Sequence, residues 1–319
     1  MSFEIGQTAA GYEFVGVQDN SRTGGAFKVK NVIADRFEVL RILPKELQGD
    51  HEEVDRFLRE IKVHSRLSHP NIVSFYTATE IDGKLVMTSE FFEAIALEKR
   101  LESGPMPPDE AIRCMSQVLS ALSYAHELGV THREVSPANI LLGPNGTVKL
   151  TGFGLAKSAN DPQLTQAGTV MGWLEYMSPE QVKGTVAIDA RADIYAAGAV
   201  LYEMVAGRVP FVCKSQFEVM MAHVNTAPAP PPGAHPDLAL IILTALAKDP
   251  SERFQTARQF REALEKVLAI PPALVVEALP EPPPPVEQQL GYPKLLLAGI
   301  LTFLVAAVVF FAFLKISRL

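Results

Sequence analysis

Cysteine is scarce in this chain of 319 residues, which contains only Cys114 and Cys213. Two cysteines without metal-ligand spacing provide neither a zinc site nor a disulfide framework. We expect each to be a small buried hydrophobic residue in a reducing compartment. An excess of basic residues is also absent, since the net charge is −7, and this argues against a general nucleic-acid-binding surface. The first residues have neither a basic stretch nor an apolar core, so we expect no signal peptide.

Charged residues are absent from residues 295–314. At about 1.5 Å per residue, a helix of this length spans about 30 Å, the thickness of a bilayer core. A buried core helix is the alternative, but the run is apolar on every side, which favours a membrane span. Proline without periodicity precedes it and predicts an extended spacer. We therefore expect a Pro-rich linker at 271–293, a single transmembrane helix at 294–314 and a short tail at 315–319.

The remainder of the chain, with 48% hydrophobic residues overall, has the composition of a globular protein. Its apolar patterns change character along the chain, from strand-like runs to helical spacing. No internal repeat is visible. Strands are predicted at 12–17, 26–33, 37–43, 72–77 and 84–88, with a helix at 52–66 among them, and further helices at 110–128, 190–206, 215–223, 238–247 and 256–269.

The most informative stretch is residues 130–157. Two apolar runs, 140–142 and 148–150, flank Gly143-Pro144-Asn145-Gly146, which is a hairpin pattern. His132-Arg133-Glu134 precedes this hairpin, and Gly152-Phe153-Gly154 follows it.

This arrangement resembles the catalytic loop, hairpin and metal-binding loop of the Hanks-type Ser/Thr protein kinases, particularly the bacterial membrane-anchored members. In that family HRD, an Asn five residues later and DFG carry the chemistry, and Asn139 keeps that spacing after Glu134. The resemblance covers about residues 12–267. It implies an α+β, two-lobed protein-kinase-like fold with a small β-rich lobe at 12–93 and a mainly helical lobe at 94–270, after an extension at 1–11.

Other positions carry the same resemblance. Glu60 matches the helix glutamate that the family pairs with a strand cation, here Arg41. Glu180 closes the motif Met177-Ser178-Pro179-Glu180, and the resemblance implies that it pairs with Arg253. Asp193 matches the aspartate that supports the backbone of the catalytic loop. The resemblance also makes His132 a structural core residue.

The positions that carry the family's chemistry are changed. Glu134 stands where the catalytic Asp is expected, and Ser136 stands where a Lys is usual. Gly152 replaces the Mg²⁺-binding Asp and brings no ligand, which leaves Asn139 as the one remaining candidate ligand. We therefore expect no metal site of the family's kind. Glu134 and Asn139 are the candidate catalytic residues.

The candidate nucleotide-binding residues are also altered. Gly24 and Gly25 are the best match to the glycine-rich loop, although such a pair is also typical of a simple hairpin turn. Phe27 is expected to crowd the phosphate site. Arg41 keeps the charge of the strand lysine but is larger and planar, and we expect an ion pair with Glu60. ATP, bound without dependence on Mg²⁺, is the candidate cofactor.

The residues that hold the fold match the family, whereas those that move phosphate do not. This pattern predicts a pseudokinase that acts as a protein-interaction or allosteric module, with an active kinase or another signalling protein as its partner. The alternative is a divergent Ser/Thr protein kinase with weak transfer from ATP to protein hydroxyls, using Glu134 as base. A nucleotide sensor without transfer is a third hypothesis. In each case we expect a cytoplasmic body anchored in the cell membrane.

Overall fold

The computed structural model describes residues 4–19, 25–43, 51–153, 174–185 and 188–269. Contacts divide the chain into two compact units, Met1–Ile270 and Pro271–Leu319, and every described residue lies in the first. The predicted linker, transmembrane helix and tail lie outside the described residues. Within the described ranges, none of the helices is long and apolar enough to cross a bilayer.

The first part of the chain forms a six-stranded antiparallel sheet with one helix. The elements are β1 (Thr8–Ala9), β2 (Tyr12–Asp19), β3 (Ala26–Asn31), β4 (Arg36–Ile42), α1 (His51–His64), β5 (Phe75–Ile81) and β6 (Lys84–Glu90). The strand order is β1-β2-β3-β4-β6-β5, so that β4 lies in the interior of the sheet. The predicted strands are confirmed with small shifts, the largest in β5, which both starts and ends later than predicted.

The two faces of this sheet carry different apolar clusters. One face carries an apolar cluster that includes Phe14, Leu40 and Val86. On α1, Phe57 forms a second cluster with Leu43 and Met87. Because β4 alternates its side chains between the faces, Arg41 lies on the opposite side from Leu40, and the structure pairs it with Glu60 of α1.

The second part of the chain is mainly helical. The elements are β7 (Ile95–Ala96), α2 (Leu97–Leu101), α3 (Pro108–Glu127), β8 (Ile140–Leu142), β9 (Val148–Leu150), α4 (Pro179–Val182), α5 (Ala190–Ala206), α6 (Gln216–Asn225), α7 (Pro236–Ala245) and α8 (Ala257–Ala269). The three strands form a small sheet of order β7-β8-β9, and the predicted hairpin strands have the observed bounds of β8 and β9.

The centre of this helical part is α5, which is buried along nearly its whole length. Its small residues allow close approach to α7. A Cβ atom placed on Gly198 would lie 2.7 Å from the Cβ of Ala245, so only glycine fits at this contact. The core formed by α3, α5, α7 and α8 supports the loop that is predicted to be catalytic.

The two cysteines differ in their surroundings. Cys114 is buried in α3, as predicted, and burial raises the pKa of its thiol to about 12. Cys213 is exposed, so the prediction that it is a buried hydrophobic residue is wrong. It lies in the connection between α5 and α6, where the neighbouring Val212 is also exposed.

Candidate active site

The loop that follows α3 is fixed by one buried carboxylate, that of Asp193 on α5. Its two oxygens accept hydrogen bonds from the backbone amides of His132 and Arg133, at 2.8 and 2.7 Å. His126, in the last turn of α3, contacts the same carboxylate at 2.7 Å. Burial acts to raise the pKa of Asp193, but the hydrogen bond and charge of His126, followed by the interactions with His132, hold it below the ordinary value. The predicted support of the loop backbone by Asp193 is confirmed.

The hydrogen bonds to Asp193 hold an unusual backbone conformation at Arg133. Arg133 has φ +67°, a left-handed conformation that non-glycine residues adopt rarely and that concentrates at functional sites. On its other side, the carbonyl of Arg133 accepts a hydrogen bond of 2.7 Å from Nε2 of Gln181. The loop is therefore held from α5 on one side and from α4 on the other.

His132 is a core residue, as predicted. It is fully buried, and its ring packs at 4.6 Å, edge to face, on the ring of Phe153. Its Nε2 lies 2.8 Å from the carbonyl of Thr151 and its Nδ1 accepts from the amide of Glu134 at 3.2 Å. A carbonyl only accepts, so the proton is on Nε2. Burial lowers the pKa of this ring, which stays neutral and structural.

The structure brings Glu134, Asn139 and Gly152 together at the end of β9. The Asn139 side chain donates a hydrogen bond of 2.8 Å to the backbone carbonyl of Glu134. The backbone carbonyl of Asn139 accepts from the amide of Thr151 at 2.9 Å. Asn139 thereby ties the catalytic loop to the strand that leads to Gly152. Ser136, where a Lys is usual, is buried and presents no cation to this place.

Gly152 has a left-handed backbone, and a side chain at this position would require the Asn139 amide group to move. Its φ is +83°, and a Cβ atom would lie 2.9 Å from both Cγ and Oδ1 of Asn139. Among the described residues no group of three His, Cys, Asp or Glu side chains could hold a metal ion. Mg²⁺ requires near-octahedral oxygen coordination. The Asn139 side chain donates through Nδ2, so its Oδ1 is one possible oxygen ligand. With no carboxylate at residue 152, the described donor set does not fit the family's metal.

The predicted ion pair between Arg41 and Glu60 forms, through Nη1 and Oε1. The Glu60 side chain is only 4% exposed and that of Arg41 27%. The pair joins β4 to α1, so that the guanidinium is fixed on the face of the sheet that α1 covers.

The candidate phosphate-binding loop is described only in part. Gly24 lies outside the described residues. A Cβ atom on Gly25 would lie 2.8 Å from Cε2 of Phe27, so this glycine leaves room for the phenyl ring. The ring packs at 5.4 Å, edge to face, on Phe14. The contacts of Phe27 that the structure records are thus with the sheet, and its effect on a phosphate group stays a prediction.

The Glu180–Arg253 pair was predicted from the sequence, but three other side chains that form hydrogen bonds at this site were not. Both terminal nitrogens of Arg253 bond the Glu180 carboxylate. The residues that were not predicted are His126, Gln181 and Glu203. The carboxylate of Glu203 accepts a hydrogen bond of 2.6 Å from the hydroxyl of Tyr176. A capping box formed by Ser178 and Gln181 was the available signal, because Ser followed three residues later by Gln predicts a helix start.

Two features define a protein kinase framework. The buried acid Asp193 accepts hydrogen bonds from the backbone of the catalytic loop, and the sheet cation Arg41 is paired with the helix glutamate Glu60. The family description "Protein kinase domain" matches residues 21–266. The chain therefore belongs to the protein kinase family.

Several of its curated relatives are bacterial proteins. Serine/threonine-protein kinase PrkC of Bacillus subtilis is 35% identical over 259 residues, which is 79% of this chain and 40% of that protein. Serine/threonine-protein kinase pkn3 of Myxococcus xanthus is 38% identical over 260 residues, or 76% of this chain and 47% of that protein. The chain thus spans less than half the length of these relatives.

Solved structures agree with this assignment. The crystal structure of the Mycobacterium tuberculosis PknI kinase domain matches with a TM-score of 0.64 and 28% sequence identity, covering 83% of this chain and 99% of that one. The predicted two-lobed kinase fold is confirmed by the family match and by this likeness.

Proposed function

We propose that this chain is a divergent Ser/Thr protein kinase that transfers phosphate from ATP to protein hydroxyls at a low rate. The names of relatives at 35% and 38% identity support this alternative over the pseudokinase that the altered motifs predict. The observation that carries the proposal is the Arg41–Glu60 ion pair. It keeps a cation fixed between sheet and helix, and a positioned cation is what phosphate transfer requires of this part of the fold.

The residues that would act are few. Arg41 would neutralise charge on the phosphates of ATP, as a fixed guanidinium held by Glu60. Glu134 would accept the proton of the acceptor hydroxyl, with its backbone carbonyl fixed by Asn139. Positioning and electrostatic stabilisation supply most of the acceleration in phosphoryl transfer. Because the described residues do not offer the family's metal site, the mechanism is limited to these groups, and the rate is expected to be low.

The test is transfer of labelled phosphate from ATP to a protein substrate by the full chain, in Mg²⁺, in Mn²⁺ and in EDTA. We expect weak incorporation that Glu134→Gln removes, since the amide is nearly isosteric and cannot take a proton. Glu127→Gln, at an exposed position on α3, is the matched control and should leave incorporation unchanged. Incorporation equal in the wild type and Glu134→Gln would show that Glu134 is not the base.

A second candidate function is favoured by Gly152. Glycine at this position supplies no metal-binding side chain, and its left-handed backbone and close contact with Asn139 disfavour one. A pseudokinase that serves as an interaction or allosteric module would have this property. In that case the wild type would show no incorporation in any of the three conditions, and its role would be to bind a protein partner such as an active kinase.

We also propose that the body is cytoplasmic and is anchored by the apolar run at 295–314, with residues 271–293 as a spacer. The support is the uncharged length of this run. A kinase that is tethered in this way would act on partners at the membrane surface. The acidic net charge of the chain supports protein partners over nucleic acid.

A further inference from the structure

His64 is a buried titratable residue that the proposed reaction does not use. It ends α1 and lies one helical turn after Glu60, so both side chains are on the same face of the helix. Its exposed fraction is 3%, and its ring lies 5.9 Å from the ring of Phe75. A histidine here is costly unless it is neutral and hydrogen-bonded.

The ring anchors α1 to the chain that follows it. Nε2 of His64 lies 2.7 Å from the carbonyl of Val73, and since a carbonyl only accepts, His64 is the donor. The amide of Val73 in turn donates to the carbonyl of Leu150 at 3.0 Å. Leu150 precedes Thr151, whose carbonyl accepts the hydrogen bond of His132. His64 therefore connects α1 to the strand that supports the catalytic loop.

We propose that His64 is a positioning residue for the Arg41–Glu60 ion pair, and that uptake of a proton by its ring releases α1 from the sheet as the pH falls. The inference goes beyond the proposed function, because the position of α1 can be measured whether or not phosphate is transferred.

The charged groups around the His64 ring explain why its protonation would release α1. The groups that face it are Glu60 on its own helix, Arg41 on β4 and, from the catalytic loop, His132. Burial lowers the pKa of His64, opposed by the hydrogen bond to Val73 and by Glu60, while Arg41 lowers it further. The acid that faces a protonated ring is Glu60, already paired with Arg41. A second cation must share that carboxylate or leave the interior, and either change disturbs the ion pair.

The direction of the pH dependence follows from the lowered pKa. The released ring has an ordinary pKa of about 6.5 and takes up a proton at a higher pH than the buried ring does. The buried arrangement is therefore fully populated above about pH 6.5 and is lost as the pH falls below that value. If release takes up one proton, the released fraction rises by up to about tenfold for each pH unit in this range.

Hydrogen–deuterium exchange of α1 tests the proposal on the full chain in detergent. After correction for the intrinsic pH dependence of exchange, opening of α1 in the wild type should rise by up to about tenfold per unit between about pH 6.5 and pH 5.5. His64→Gln keeps a side-chain N–H donor but does not titrate, so its corrected exchange should be independent of pH. Equal pH dependence in His64→Gln and the wild type, or none in the wild type, would overturn the proposal.

Two further measurements keep the result interpretable. His223→Gln removes a different buried histidine, on α6, and should retain the wild-type pH dependence of α1. If His64→Gln does not fold, carbon-13 NMR of histidine-labelled wild type gives a direct answer, with His64→Asn to assign the resonance. The proposal requires the His64 ring to become protonated in step with α1 opening. A ring that titrates near pH 6.5 while α1 stays closed would overturn it.

Discussion

Arg253 donates from its two terminal nitrogens to the two carboxylate oxygens of Glu180, at 2.7 and 2.8 Å. The Arg253 side chain is completely buried. Its remaining hydrogen bonds go to the backbone carbonyls of Ala247, Lys248 and Arg191. This fork geometry is the strong form of a charge-assisted pair, and it joins α4 to the segments before α8 and at the start of α5.

Removing this arginine should destabilise the fold. Arg253→Ala leaves Glu180 without its partner, and breaking a buried pair on one side costs roughly 3–5 kcal/mol. We expect a fall in melting temperature of roughly 10 °C by calorimetry. The control is Arg258→Ala, whose pair with Glu127 is 59% exposed on both sides, and which should change stability by less than about 1 kcal/mol. A melting temperature of Arg253→Ala within about one degree of the wild type would contradict this account.

Restoring the family's aspartate should not restore robust transfer. Gly152→Asp must adopt a left-handed backbone and displace the side chain of Asn139, and the family's Lys at Ser136 is still missing. Gly83→Asp is the matched control, because Gly83 has φ +70° with open space around it and so isolates the backbone strain. We expect a larger loss of thermal stability for Gly152→Asp. Robust phosphorylation by Gly152→Asp would show that residue 152 alone limits the reaction.

Stability should depend on pH through His223. This ring is fully buried on α6 and its Nδ1 contacts the hydroxyl of Tyr195 at 2.9 Å. Burial, assisted by the charge of Lys248, lowers its pKa to about 4. The unfolded chain takes up this proton near pH 6.5 and the folded chain only near pH 4, so stability is full above pH 6.5 and falls between those values. The loss is on the order of 3 kcal/mol.

Urea unfolding at several pH values measures this loss. The wild type should lose stability steadily from about pH 6.5 towards pH 4. His223→Gln should be less stable near neutral pH but should show a smaller slope, by about one proton. A slope that is the same in both proteins would exclude His223 as the source.

The membrane orientation can be tested by proteolysis. We propose that residues 1–293 lie in the cytoplasm, because both cysteines are free and free cysteines suit a reducing compartment. The positive charges oppose this weakly, since Lys294 precedes the apolar run while Lys315 and Arg318 follow it. Protease added to intact spheroplasts should leave the globular body whole. Digestion of the body from outside would reverse the orientation.

The part of the site that lies close together in the sequence could be predicted. The hairpin strands Ile140–Leu142 and Val148–Leu150 have the predicted bounds, because a turn pattern between two apolar runs fixes them locally. The ion pair of Arg41 and Glu60 was available only through the resemblance, since it joins a strand to a helix 19 residues further on.

The remaining contacts depend on packing of distant segments. His126 meets Asp193 across 67 residues and Gln181 meets Arg133 across 48. Neither partner has a local pattern that indicates the other, because the core that aligns α3, α4 and α5 brings them together. Exposure of Cys213 could not be predicted for the same reason, since its place between α5 and α6 is fixed by tertiary structure.

Calorimetric titration of the full chain with ATP, in Mg²⁺ and in EDTA, tests most directly the central claim that a kinase framework is retained without the family's metal site. Because Gly152 provides no carboxylate and the Asn139 amide oxygen alone does not make the near-octahedral site that Mg²⁺ requires, ATP should bind with a Kd that agrees within about threefold between the two conditions, a difference of less than about 1 kcal/mol. Binding that is tighter in Mg²⁺ by about tenfold or more, about 1.4 kcal/mol, would contradict the account.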